Sequence, residues 1–152
     1  MQKQSRIVVE NIAPQINQGT VNIKRVVDEI VNVTADVLVD GHDVLQSSLL
    51  FKHEKDNEWS EIRMSPTFND EYTASFHTTK QGFYSYKVEG WVDYLLNWQH
   101  GLERKIDDGQ HVNSELLEGA ELLASISDIV TITEEKKYLL HLIFIFKNSC
   151  LV

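Results

Sequence analysis

Gly82-Phe83-Tyr84-Ser85-Tyr86-Lys87-Val88-Glu89-Gly90-Trp91-Val92-Asp93 is a strand that alternates and then hands over to a helical pattern. Tyr84, Tyr86 and Val88 fall on one face and Ser85, Lys87 and Glu89 on the other. That two-residue period is the signature of a half-buried antiparallel strand. Past Asp93 the spacing changes, because Leu95, Trp98, Leu102 and Ile106 recur at helical intervals and build one apolar seam. Asp93 stands where a side chain caps a first turn. The stretch predicts a β-sandwich that closes on an aromatic-rich strand, followed by a helix.

Working toward the N-terminus, the same period appears again. Val31, Val33, Ala35, Val37 and Val39 alternate with Asn32, Thr34 and Asp36, which makes residues 30–39 a central strand. Ile7 to Asn11 reads as a short first strand that Ala13-Pro14 brings to a close. Asp40-Gly41-His42-Asp43 and Lys55-Asp56-Asn57 have turn composition, and a strand lies between them over about residues 46–54. Trp59 to Met64 and Glu71 to Thr78 follow, the latter with Tyr72, Ala74 and Phe76 turned inward. About seven short strands before Asp93 give a mainly β fold, an immunoglobulin-like antiparallel β-sandwich over residues 1–93.

Residues 94–152 then form a helical extension. Beyond Gly109, Asn113 is in position to cap a second helix with Glu115 in its first turn and Leu116, Ala120 and Leu123 on one face. Gly119 should weaken that helix slightly. Thr133-Glu134-Glu135 opens a third helix carrying the apolar run Tyr138 to Phe146. That run has almost no polar face, so something must cover it, and the expectation is a fragment cut before its cover arrives.

The 152-residue chain carries a formal charge of -9, with basic residues scattered apart from Lys24-Arg25 and Lys136-Lys137. Phosphate-backbone binding relies on clustered Lys and Arg, so no nucleic-acid partner is expected. Cys150 is the only cysteine, which excludes an internal disulfide and a cysteine-built zinc site and fits a reducing compartment. Met1 to Arg6 is polar and no secretory h-region follows, while Tyr138 to Phe146 is far shorter than the roughly twenty residues that cross a bilayer. The expected location is cytoplasmic, with no membrane partner.

No constellation for catalysis stands out. Gly-x-Ser-x-Gly and Gly-rich phosphate loops are absent. The six histidines, His42, His53, His77, His100, His111 and His141, lack metal-ligand spacing. His42 between Asp40 and Asp43 is the one local cluster, and an Asp-rich turn that bonds its own backbone explains it without chemistry. No catalytic, cofactor-binding or metal-binding residue is therefore assigned. Asn32-Val33-Thr34 matches a glycosylation acceptor but falls inside a predicted strand and is set aside. Trp59, Trp91, Trp98, Tyr72, Tyr84 and Tyr86 could stack on sugar rings. Alternation assigns Tyr84 and Tyr86 to the core, and the helical seam does the same for Trp98. Trp91, at the strand exit, remains as the one candidate sugar contact.

The order of several short marks resembles a known family, the N-terminal domain of GlgE-type α-1,4-glucan:maltose-1-phosphate maltosyltransferases, members of the α-amylase-like glycoside hydrolase superfamily. The marks are Lys24-Arg25-Val26-Val27, Ala35-Asp36-Val37, Asp40-Gly41-His42-Asp43, Trp59, Met64, Asn69-Asp70, Ser75-Phe76 and the opening strand through Trp91-Val92-Asp93. They continue with Trp98, Leu102-Glu103, Lys105, Gly109-Gln110 and Glu115 to Ala120. Gly101, His111 and Pro66-Thr67-Phe68 depart from the family pattern. The resemblance implies a large enzyme whose amylase-like barrel moves maltose from maltose 1-phosphate to the non-reducing end of a glucan with retention of configuration. The reacting carboxylates belong to that barrel. It also implies that this domain is a noncatalytic accessory piece that packs on its own barrel and takes part in a homodimer. The alternatives are an autonomous glucan-binding module and the N-terminal domain of a hydrolytic α-amylase.

Overall fold

A computed structural model describes residues 7–149. It contains seven strands, β1 (Ile7–Ala13), β2 (Ile30–Val39), β3 (Leu45–His53), β4 (Ser60–Arg63), β5 (Ser65–Pro66), β6 (Glu71–His77) and β7 (Tyr84–Val92). Three helices follow, α1 (Tyr94–Asp107), α2 (Asn113–Ile129) and α3 (Thr133–Ser149). The chain divides into two compact units between Asp93 and Tyr94. The polar residues 1–6 and the lone Cys150 lie outside the described residues.

The first unit is mainly β. One sheet has the order β1-β2-β6-β5 and the other β4-β3-β7, every pairing antiparallel. Chain order alternates between sheets in the manner of an immunoglobulin-like sandwich. The second sheet gains β4 as an outer neighbour of β3, and β7 is succeeded by α1 rather than by another strand. The strand the sequence reading left unnamed is β5, a two-residue piece paired with Tyr72 and Thr73 of β6. Its turn into β6 places Asn69 and Asp70 at φ of 52° and 61°. Asn and Asp are the side-chain-bearing residues that best tolerate this left-handed backbone.

The alternation predicted for β2 is real. Val31, Val33, Ala35 and Val37 are buried, while Asn32 is exposed and pairs with Ser75. Between the sheets, Val33, Val37 and Leu49 are fully enclosed. Phe51 stacks on Phe76 with ring centroids 4.6 Å apart, and Tyr84 and Tyr86 lie 6.0 Å from Phe76. Each tyrosine or tryptophan in a core needs a partner for its polar tip. Tyr72 donates to the Leu45 carbonyl at 3.0 Å, and Tyr86 donates to the Pro14 carbonyl.

The closing strand is shorter than the sequence suggested. Gly82 has φ of 138°, so the extended run begins at Tyr84. A Cβ at Gly82 would lie 2.4 Å from Glu54 Oε1 and 2.5 Å from His53 Nε2, which reserves the position for glycine. Gly90 is a second close approach. It continues the inner face of β7, and a Cβ there would come within 2.6 Å of Val37 Cγ1.

The helical unit has a small core of Ala120, Leu123 and Ile143, supported by Leu95, Leu139, Leu142 and Phe146. Trp98 is half-buried, packs 5.6 Å from Phe146, and donates its indole N–H to the Glu115 carbonyl at 2.6 Å. Three expectations change here. Asn113 is the first helical residue instead of the cap, and Val112 occupies the cap position with no side-chain bond to the helix. Ile106 is 54% exposed and does not complete the seam of α1. Gly119 is buried, and its missing side chain is what admits the Trp98 ring, since a Cβ would sit 2.1 Å from Cζ2. Tyr138, Leu140 and Phe144 of α3 are exposed. Among the described residues no helix is long and apolar enough to cross a membrane.

Candidate functional site

Trp91 stands on the outer face of the β4-β3-β7 sheet, because the alternation that turns Tyr84, Tyr86, Val88 and Gly90 inward puts Lys87, Glu89 and Trp91 on the other side. Its register partner is Gln46. The ring is half-buried, and the Arg63 guanidinium of β4 lies 4.5 Å from its centroid. A cation over an indole contributes about 0.5–1 kcal/mol at an exposed site. A sugar ring stacking on that face of Trp91 would first have to displace Arg63.

Trp59 is among the aromatics that the sequence offers for stacking, although it is not retained as a candidate contact. It is 38% exposed, just ahead of β4, with Lys52 5.1 Å and Lys87 5.3 Å from its ring centre. Lys87 also pairs with Glu89, and Ser48 donates to Glu61 at 2.6 Å on the same face. The signal that could have found this arrangement was the registry, which places Ser60 opposite Phe51 and so Trp59 beside Lys52. By that registry Trp59 sits near Ser85, six residues from Trp91 along β7, or about 20 Å at ~3.3 Å per residue. The two indoles are therefore too far apart to form one platform for a short ligand.

The remaining sequence candidates lie apart from that face. His42 is exposed in its turn with Asp40 and Asp43. His53 is buried at 2% exposure, and its Nδ1 accepts from the Lys55 N–H at 3.2 Å. Nε2 therefore carries the proton and donates to the Gln81 carbonyl at 3.1 Å. This histidine ties the connection between β6 and β7, which crosses from one sheet to the other, to the end of β3. Among the described residues no three His, Cys, Asp or Glu side chains are grouped so as to hold a metal ion. Two ion pairs shift their carboxylates. The hydrogen bond from Lys80, 2.9 Å away, holds Asp56 below its ordinary value, and Lys105 does the same for Glu115. Burial pushes the Tyr72 and Tyr86 hydroxyls up.

Fold and surface together define a sandwich module with a helical continuation, bearing aromatic and charged residues on one open sheet face. Comparison with known proteins gives the family. The family model for the N/S domain of α-1,4-glucan:maltose-1-phosphate maltosyltransferase matches residues 5–141, and the chain belongs to that family. Curated proteins named α-1,4-glucan:maltose-1-phosphate maltosyltransferase are similar to it. The one from Chlorobaculum tepidum is 36% identical over 118 residues, that from Salinibacter ruber 39% over 122, and that from Myxococcus xanthus 38% over 121. These alignments cover 77–78% of this chain but 18% of each relative. The chain thus spans about a fifth of the length of the curated relatives it matches.

Proposed function

We propose that this chain is the noncatalytic accessory domain of an α-amylase-like maltosyltransferase that extends α-1,4-glucan from maltose 1-phosphate with retention of configuration. The observation that supports this reading is the match to the N/S domain model together with relatives named for the transfer, of whose length the alignments cover 18%. The reacting carboxylates then belong to a barrel in the remaining four-fifths, and this domain packs on that barrel and contributes to a homodimer in the cytoplasm. The test is direct. The chain alone, incubated with maltose 1-phosphate and a maltooligosaccharide, is expected to release no phosphate above background. Sustained release would sink the reading.

A second reading, an autonomous glucan-binding module, draws support from the two indoles on one sheet face. Affinity electrophoresis in glycogen gels separates it from the first. Unretarded migration supports the architectural role, whereas retardation abolished by Trp91→Ala or Trp59→Ala supports glucan contact. A hydrolytic parent is distinguished from a transferase by the products of the full-length enzyme: free maltose from maltose 1-phosphate in place of an elongated glucan.

A further inference from the structure

Of the strands at the sheet margins, β4 has four residues, β5 has two, and β1 loses register between Glu10 and Ala13. β7 differs, because it runs nine residues in unbroken register with β3 and contains no proline. Its ends show which way its backbone groups point. The Glu54 N–H donates to the Phe83 carbonyl at 2.8 Å, and the Asp93 N–H donates to the Val44 carbonyl at 2.8 Å. Residues that exchange bonds recur at every second position of an antiparallel ladder, so Ser85, Lys87, Glu89 and Trp91 turn their backbones to β3. Tyr84, Tyr86, Val88 and Gly90 turn theirs to the margin, where no backbone hydrogen bond to them is found among the described residues. Such unpaired N–H and C=O groups are a template for another strand.

The two ends of this margin differ. β1 lies against the Gly90 end, where Ile7 and Val9 would meet a Cβ at 3.4 and 3.5 Å. At the other end a hollow of about 720 Å³ lies between the β1–β2 connection and Tyr84 to Lys87, and its lining reaches the sandwich core at Val31 and Phe76. The charges around it balance. Lys87 belongs to the outer sheet face, while Lys24, Arg25 and Lys80 are answered by Glu29, Asp56 and Glu54. Arg25 lies 3.7 Å from Glu29, Lys80 lies 2.9 Å from Asp56, and Glu54 Oε1 lies 2.4 Å from where a Gly82 Cβ would stand. A charged occupant would lose hydration there with no opposite charge left over to receive it. We infer that the hollow receives an extended, uncharged strand of a partner protein, which joins the β4-β3-β7 sheet by bonding to the backbones of Tyr84 and Tyr86. Its alternate side chains are apolar and turn toward Val31 and Phe76, and those between them are neutral and polar. A strand of about five residues spans both tyrosines.

Amide hydrogen exchange of the whole chain, followed by NMR, tests this with a short acetylated peptide that alternates threonine and valine. At about ten times the peptide's dissociation constant, exchange at the Tyr84 and Tyr86 amides should slow about tenfold, because only the free fraction exchanges. The Ser85 and Lys87 amides, already bonded to β3, should change far less. The same peptide N-methylated throughout keeps its side chains but cannot donate, and should protect neither tyrosine. Val26→Asp places a charge in the lining at a residue 71% exposed, and it should weaken the peptide about tenfold while its dispersed spectrum reports that it folds. The proposal is overturned if Tyr84 and Tyr86 gain no protection, if the N-methylated peptide protects them equally, or if Val26→Asp binds as well. It is also overturned if the two amides are already as protected as Ser85 and Lys87 in the free chain, and protection that rises with protein concentration would assign the edge to a second copy. None of these outcomes bears on the accessory-domain reading, which rests on the family match.

Discussion

Gly119 shows how a single residue's meaning depends on what stands opposite. In an open helix, replacing glycine with alanine gains about 1 kcal/mol. Here the new Cβ would lie 2.1 Å from the Trp98 ring, and overpacking costs about 1–3 kcal/mol. The clash wins, so Gly119→Ala should lower the urea midpoint of the helical unit. In a Trp98→Ala background the same change should be neutral or stabilising. If Gly119→Ala stabilises the protein with Trp98 present, the close approach is wrong. Gly90 poses the same question in a strand, where Gly90→Ala should cost about 1–3 kcal/mol, because its Cβ meets Val37 at 2.6 Å. An unchanged denaturation midpoint would refute that. Neither glycine could be read from the sequence as a contact point, since alternation and periodicity describe faces, and what fills a face depends on strands and helices distant along the chain. The same limit hid Arg63 over Trp91, which lies 28 positions away.

At the scale of elements, the patterns with strong periods were legible. The alternation of β2, the inward set of β6 and the helical run of α3 are each visible in the amino acids alone. Boundaries set by backbone geometry were less so. Gly82 delays β7, and α2 begins with Asn113 inside the helix because Val112 already adopts the cap position. With no side-chain cap there, α2 relies on Glu115, which pairs with Lys105 of α1 and lies in the first turn. A carboxylate near a helix N-terminus is favourable, and the lysine holds Glu115 below its ordinary value of 4.5. A depressed folded value means that the pair's contribution is present above the ordinary value and is lost as pH falls through the folded one. The thermal midpoint of the helical unit should therefore drop on acidification from pH 5 downward. Glu115→Gln should flatten that part of the profile, as should molar salt, because Lys105 is partly exposed and screened. A variant profile that parallels the wild type would show that Glu115 is not responsible.

For the whole molecule, the decisive feature is the apolar surface of α3. Leu139, Leu142 and Phe146 pack into the helical unit's core, whereas Tyr138, Leu140 and Phe144 on other faces are 64%, 51% and 66% exposed. Apolar surface on several sides of one helix is what a covered element presents, and here its cover is proposed to be the barrel or a second subunit. In this chain alone, the exposed residues should drive self-association at tens of micromolar, seen as a concentration-dependent sedimentation coefficient. Replacing Tyr138 and Phe144 with Ser removes apolar area without touching the residues that face the core, so the variant should sediment as a monomer. Truncation after Thr133 is no substitute for this variant, because it would also remove Leu139, Leu142, Ile143 and Phe146 from the core and bare Leu123 and Trp98. If association disappears in the serine variant, the exposed face of α3 is its source. If a dimer survives there, the contact lies elsewhere in the chain, and the homodimer proposed for the parent gains its support from that surface. A wild-type chain that stays monomeric throughout the concentration range would remove the helix as an adhesive surface altogether.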